Sequence, residues 1–284
     1  GMAPMLVPFL IMLREGMEAA LIVGIVAGYL SRTGRSRWLP AAWAGAGLAA
    51  LLCLVLGIAL EQASAEFPQK AQELFESLVG LIAVVLLTSM VFWMRKAARS
   101  IGTGLRQSVD AALSSDRSGL ALVGMVFLAV GREGLESVFF LLAAFQQDVG
   151  LAAPLGAVLG LVCAVLVGWA IYRGSLKLDL GRFFRWTGVF IIFVAAGLLS
   201  GALRSLHEAG LWNGLQQIAF DLSDVLPVDG PVGAVLAGLL GYHDTPSLGE
   251  VIVYLAYLVP VLTLFWIQGI GVRPTVARDS RSSS

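Results

Sequence analysis

A chain of 284 residues that is 58% hydrophobic and only 13% charged, with zero net charge and a mean hydropathy of +0.85, carries more apolar side chain than a soluble core can use. The balanced charge gives no footprint for nucleic acid. Two cysteines without a close pair spacing exclude a disulfide framework and a thiolate metal cluster. The composition fits an all-α integral membrane protein in contact with lipid.

A membrane span needs about 20 mostly apolar residues at a rise of about 1.5 Å each. Seven segments qualify in chain order: 5–30, 38–60, 73–94, 119–145, 151–172, 184–206 and 250–270. They are apolar on all sides, as expected of helices that face lipid on one side and one another on the other, and no alternating strand pattern competes. The first segment lacks a basic leader, is too long for a signal peptide and carries charges in its middle, so it reads as a retained span. Gly1, ahead of Met2, reads as an expression remnant and is set aside. Cys53 and Cys163 sit within apolar runs of the second and fifth spans and read as packing residues.

The first and fourth segments each contain a charged pentapeptide, Arg14-Glu15-Gly16-Met17-Glu18 and Arg132-Glu133-Gly134-Leu135-Glu136. A charge at a helix centre costs about 2.5–3.5 kcal/mol to insert, so six cost roughly 15–20 kcal/mol before any pairing. Within each copy the two Glu are three residues apart and share a helix face, while the Arg precedes the second Glu by four and pairs with it. Gly16 and Gly134 permit close backbone approach, which is expected to bring the two carboxylate pairs together. Compensated ion pairs that only fix packing would explain Glu18 and Glu136 and leave Glu15 and Glu133 unexplained. Four carboxylates against two guanidiniums call for a cation or for protons.

Orientation follows from Lys and Arg. The loops after the first, third and fifth spans and the C-terminal tail hold Arg32, Arg35, Arg37, Arg95, Lys96, Arg99, Arg106, Arg117, Arg173, Lys177, Arg182, Arg185, Arg273, Arg278 and Arg281, whereas the opposite loops hold Lys70 alone. The positive-inside rule then places the N-terminus outside and the C-terminus in the cytoplasm, beneath an acidic outer face. Three spans separate the starts of the two pentapeptides, so the second copy runs in the reverse direction. This predicts an inverted repeat of three plus three helices with the seventh added, and a site near the midplane where the repeats meet. We expect a permease domain over 2–272, with repeat one at about 5–94, repeat two at about 119–206, a periplasmic segment at 207–249 and the seventh helix at 250–270. A cytoplasmic tail is expected over 273–284.

Carboxylates are hard ligands, so the expected metal site of Glu15, Glu18, Glu133 and Glu136, supported by Arg14 and Arg132, suits a hard cation; iron of either valence, manganese and lead stay open on ligand type alone. The doubled REGxE element in a seven-span plan closely resembles the iron permease family, which includes bacterial elemental-iron permeases and fungal high-affinity permeases. Within that family the chain looks like the bacterial branch, the permeases of EfeU-type uptake systems. The resemblance continues through Gln72-Glu73-Leu74-Phe75-Glu76, the VFFLLAAFQQDVG stretch at 138–150, LHEAGLW at 206–212, and Gly241-Tyr242 ahead of Pro246-Ser247. It implies uptake of iron, ferrous or ferric, as the transported substrate, with the motif carboxylates as ligands. It also implies two periplasmic partners, an iron-binding protein and a haem-dependent peroxidase-like protein.

The same resemblance favours Glu73 and Glu76, at the outer end of the third span, as residues that receive the ion. His207, Glu208, Asp221 and Asp224 are further candidates at the outer mouth, although a solvated surface carboxylate is the simpler reading of each acid. The connection 207–249 exceeds the usual length of an idle loop, and its IAFDLSDVL run is expected to form an interfacial or re-entrant helix. Two other functions remain alongside iron uptake: a proton-coupled transporter or channel for another divalent metal, and a metal-binding membrane component that transports nothing. An enzyme is not expected, because the spans hold no serine, histidine or zinc-ligand constellation.

Overall fold

The computed structural model describes residues 3–97, 101–146, 152–172 and 180–270. Its helices are α1 (Ala3–Arg32), α2 (Leu39–Ala65), α3 (Gln69–Ala97), α4 (Ile101–Leu113), α5 (Ser118–Gln146), α6 (Ala152–Tyr172), α7 (Leu180–Glu208), α8 (Pro231–Leu240) and α9 (Leu248–Ile270). Among the described residues the only β pairing is an isolated bridge between Ile218 and Ser247. The protein is all-helical. Each expected segment coincides to within a few residues with α1, α2, α3, α5, α6, α7 or α9, and the tail 273–284 lies outside the described residues. Five helices, α2, α3, α6, α7 and α9, are long and apolar enough to cross a membrane by length and composition. The other two long helices, α1 and α5, have 30 and 29 residues and carry the charged pentapeptides.

Small residues decide which helices meet. On α6, a Cβ at Gly156 would run into the Met5 carbonyl and one at Gly160 into the Phe9 carbonyl, so α6 lies backbone to backbone along α1. Further along the same seam Gly16 faces Ala164, and Gly168 faces Ala20. Residue numbers rise together on both sides, so α1 and α6 run parallel. A matching seam joins α2 and α5, where Gly45 abuts the Val123 carbonyl, Cys53 abuts Gly134 and Gly57 abuts Val138; these helices are parallel too. In contrast, α3 and α7 are antiparallel, since Ser77 and Gly80 of α3 face Ala202 and Leu198 of α7. The outward faces of α2 and α6 are rows of exposed leucine and valine, from Leu48 to Ile58 and from Leu155 to Leu166. Such a surface calls for cover by lipid or by another protein chain.

Helix α9 packs antiparallel on α7: Phe265 lies against Gly188, Gly249 lies against Leu203, and the Ser200 hydroxyl donates to the Glu250 carbonyl at 3.0 Å. The first turn of α9 is a capping box. The Ser247 backbone N–H donates to Glu250 at 2.9 Å and the Glu250 N–H donates to the Ser247 hydroxyl at 3.2 Å. Glu250 is buried and paired with Arg204 at 2.7 Å.

Two helices depart from the sequence expectation. The run 218–226 is not helical; it forms turns and an extended stretch, with Ala219 N–H donating to Pro246 O and Leu222 N–H to Asp244 O, both at 2.9 Å. Asp221 explains part of this, because its carboxylate accepts the Ser223 backbone N–H at 3.0 Å and so competes with a helical turn. The helix of the outer connection is α8 instead, an apolar decapeptide that starts at Pro231 and stops at Gly241, whose φ of +69° is the left-handed value that glycine adopts most readily. Gly241 presses on Gly197, about 16 Å along α7 from its C-terminal end, and Tyr254 of α9 donates to the Leu240 carbonyl at 2.7 Å. Helix α8 therefore enters the bundle, where it touches α1 and α7.

The second unexpected helix, α4, lies between α3 and α5 and is tied to the end of α1. Asp110 accepts the Tyr29 hydroxyl at 2.8 Å and the Arg35 guanidinium at 2.9 Å, while Arg35 also covers the Tyr29 ring. Chiefly the Arg35 hydrogen bond, then that of Tyr29, holds the Asp110 carboxyl below its ordinary value of 3.8. A group depressed in this way stabilises the fold above its ordinary value and loses that contribution as pH falls through the depressed one. Asp110→Asn is expected to speed amide exchange in α4 several-fold without altering exchange around Glu15; equal protection of α4 in both proteins would dismiss the tie.

Candidate functional site

The charged pentapeptides meet in the interior. Glu15 and Glu18 of α1 are each 2% exposed, and Glu133 and Glu136 of α5 are 8% and 9% exposed. Each offers one carboxylate oxygen, and the four oxygens all lie within 4.8 Å of one another. The i, i+3 spacing turns both carboxylates of a helix to the same side, and the contact between α1 and α5 brings the two sides together. The motif glycines act differently from expectation. Gly16 and Gly134 do not face each other; they admit Ala164 of α6 and Cys53 of α2, at 2.6 and 2.5 Å from where a Cβ would stand. Each glycine thus seats its helix on a neighbour and leaves the carboxylate face free.

The oxygens in this cluster are short of partners. Both oxygens of Glu15, Oε2 of Glu18 and Oε2 of Glu133 are buried without a hydrogen bond. Buried polar atoms are almost always satisfied, and an unpaired carboxylate in a low-dielectric interior is costly. Opposed ligands of a cation with metal–oxygen bonds of about 2.1–2.4 Å stand about 4.2–4.8 Å apart, so four oxygens at this spacing fit one hard cation. Among the described residues, neither a soft ligand nor a histidine belongs to the cluster.

The supporting arginines, treated as equivalent on sequence, are not. Arg14 is buried; its Nε donates to Glu18 at 3.2 Å and its Nη1 to the Thr187 hydroxyl at 3.1 Å and the Phe184 carbonyl at 3.4 Å. The side chain of Arg132 is 60% exposed, lies 3.7 Å from Glu136 and rests over the Trp93 ring at 4.6 Å. Neither Thr187 nor Trp93 stood out in the sequence, because a lone Thr or Trp in an apolar span carries no signal without its neighbours.

At the candidate outer mouth, Glu73 and Glu76 are half-buried on α3, and Glu76 lies within electrostatic range of Glu73 and of the exposed Glu208 on α7. His207 is turned elsewhere: its Nε2 is 2.9 Å from the Gly214 carbonyl and its ring stacks on Trp212. Asp221 and Asp224 are exposed in the irregular segment, and Ser223 hydrogen bonds hold the Asp221 carboxyl below its ordinary value. Sequence reasoning passed over Glu250 and Arg204, although Ser247 and Glu250 have the spacing of a capping box.

A bundle of long apolar helices around a buried carboxylate cluster, several of whose oxygens lack partners, has the form of a membrane protein with room for a cation in its interior. The chain matches the iron permease FTR1 family over residues 5–273 and belongs to it. It is 59% identical over 264 residues to the ferrous iron permease EfeU of Yersinia pestis, covering 93% of this chain and 94% of that one. It is also 59% identical to the ferrous iron permease EfeU of Escherichia coli O157:H7, over 262 residues, covering 92% and 95%. No solved structure matches it. With bacterial permeases as relatives and five apolar helices of spanning length, it is a multi-pass protein of the bacterial inner membrane.

Proposed function

We propose that the chain is an iron uptake permease in which Glu15, Glu18, Glu133 and Glu136 bind the transported iron near the midplane, with Arg14 and Arg132 as counter-charges. The observation that carries this reading is the buried cluster of four carboxylates, close enough together to share one cation, in which oxygens of Glu15, Glu18 and Glu133 lack a hydrogen-bond partner. The relatives named ferrous iron permeases support ferrous iron as the form moved.

Seven spans, with α1, α2 and α3 exchanged for α5, α6 and α7, form an inverted repeat in this reading. The pairing supports it, since the exchange turns the α1–α6 seam into the α5–α2 seam and maps the α3–α7 contact onto itself. The permease domain of 2–272 has its N-terminus outside and its C-terminal tail in the cytoplasm, by the distribution of Lys and Arg. Iron is drawn to the acidic outer face, received by Glu73 and Glu76 with Glu208 close by, and passed inward to the cluster. His207, Asp221 and Asp224 contribute to the mouth of this path. By family resemblance, a periplasmic iron-binding protein delivers the metal and a haem peroxidase-like protein handles its redox state.

Uptake of radiolabelled iron into liposomes containing the purified protein tests the proposal. Ferrous iron under reductant is expected to enter and chelated ferric iron to remain outside. Manganese entering as fast as iron, with iron unable to compete, would replace the substrate; no metal entering despite bound iron would leave a binding component that does not transport.

A further inference from the structure

The two pentapeptides differ at a single position, yet their arginines occupy unlike surroundings. Arg14 is held from three sides. Besides Glu18, it donates to Thr187, whose own hydroxyl hydrogen is committed to the Phe183 carbonyl at 2.8 Å and so leaves a lone pair for the guanidinium. The Phe184 ring lies 5.6 Å from the guanidinium carbon, and Phe265 of α9 packs on Gly188 beside Nη1. Withdrawing Arg14 would strand the buried Glu18 carboxylate and the part-buried acceptors of Thr187 and Phe184. Arg132 has no comparable constraint, since at 3.7 Å its contact with Glu136 is an ion pair without a hydrogen bond, and most of its side chain is exposed.

We propose that the site works with one fixed and one movable counter-charge, and that Trp93 is a positioning residue that holds Arg132 aside so that Glu136 is free for metal. The inference rests on the reading of the cluster as the iron site. Glu136 supplies one of the four clustered oxygens, and a guanidinium bonded to it competes with a cation for the same lone pairs. The face of an indole is the best aromatic resting place for a guanidinium, and at 4.6 Å the Trp93 ring is within range. Arg132 then returns toward Glu136 when the metal leaves, which limits the negative charge of the empty site. Arg14 stays on Glu18 throughout and sets the geometry of the α1 half.

Equilibrium binding of ferrous iron to the purified protein, together with its uptake into liposomes, tests this in Trp93→Leu, Trp93→Phe, Arg132→Gln and the Trp93→Leu/Arg132→Gln double variant. Trp93→Leu is expected to raise the half-saturating iron concentration about 3- to 10-fold, the range a partly desolvated cation–π contact commands, with little change in maximal uptake. Trp93→Phe should fall between it and the parent. In the Arg132→Gln background the Trp93 substitution should have no effect on binding. An unshifted Trp93→Leu, or the same shift in both backgrounds, overturns the inference and leaves Trp93 a packing residue. If the parent itself neither binds nor moves iron, it is the proposed function that fails.

Discussion

Glu133→Gln is expected to abolish iron flux while leaving a folded protein that is as heat-stable as the parent or more so. Glutamine keeps the shape of the side chain and one oxygen but removes the charge that a hard cation requires. A carboxylate retained only for packing gives the opposite pattern, since losing its charge leaves transport intact. The stability half of the result follows from burial: Oε2 of Glu133 has no hydrogen-bond partner, and a buried, uncompensated charge destabilises the fold that carries it. Glu15→Gln is expected to behave the same way, because both oxygens of Glu15 lack partners. Flux at the parent's rate in both variants, measured in liposomes beside a thermal unfolding curve, would remove the cluster from the transport path.

Arg14→Leu is expected to destabilise the protein by about 3–5 kcal/mol, the typical result of removing one member of a buried ion pair. The cause is Glu18, which is 2% exposed and has Arg14 as its one ionic partner among the described residues, together with the Thr187 and Phe184 acceptors left facing an apolar side chain. Arg132→Leu should cost much less, because its side chain is 60% exposed and its 3.7 Å contact with Glu136 is an ion pair without a hydrogen bond, so its removal breaks no hydrogen bond. Adding Glu18→Leu to Arg14→Leu should recover most of the loss. Unfolding of the four proteins in one detergent reads the difference directly, and equal effects of the two arginines would contradict the asymmetry.

The long helices were legible because apolar runs of spanning length leave little else for the chain to do. The four clustered glutamates were legible for a related reason: charge placed in such runs twice, at the same spacing, is too costly to be incidental. What escaped is what depends on neighbours. Helix α8 has a readable start at Pro231 and stop at Gly241, but ten apolar residues fall short of a span, and the acidic run before it drew the expectation instead. Helix α4 was hidden among the basic residues of a presumed loop, although Leu105, Val109, Ala112 and Leu113 keep a helical spacing. The unlike arginines were not legible at all. Their local sequences nearly agree, and the difference comes from α7 and α9, which enclose Arg14, whereas Arg132 rests on Trp93 of α3. The motif glycines mislead similarly, since sequence shows that something approaches closely but not which helix.

X-ray absorption at the iron edge of the metal-loaded, purified protein tests the central claim most directly. The four-carboxylate site predicts a first shell of oxygen alone, with neither sulfur nor imidazole nitrogen, that disappears in the Glu15→Gln/Glu133→Gln double variant. A shell containing sulfur or imidazole nitrogen, or an unchanged oxygen shell in the double variant, would place the iron elsewhere in the molecule.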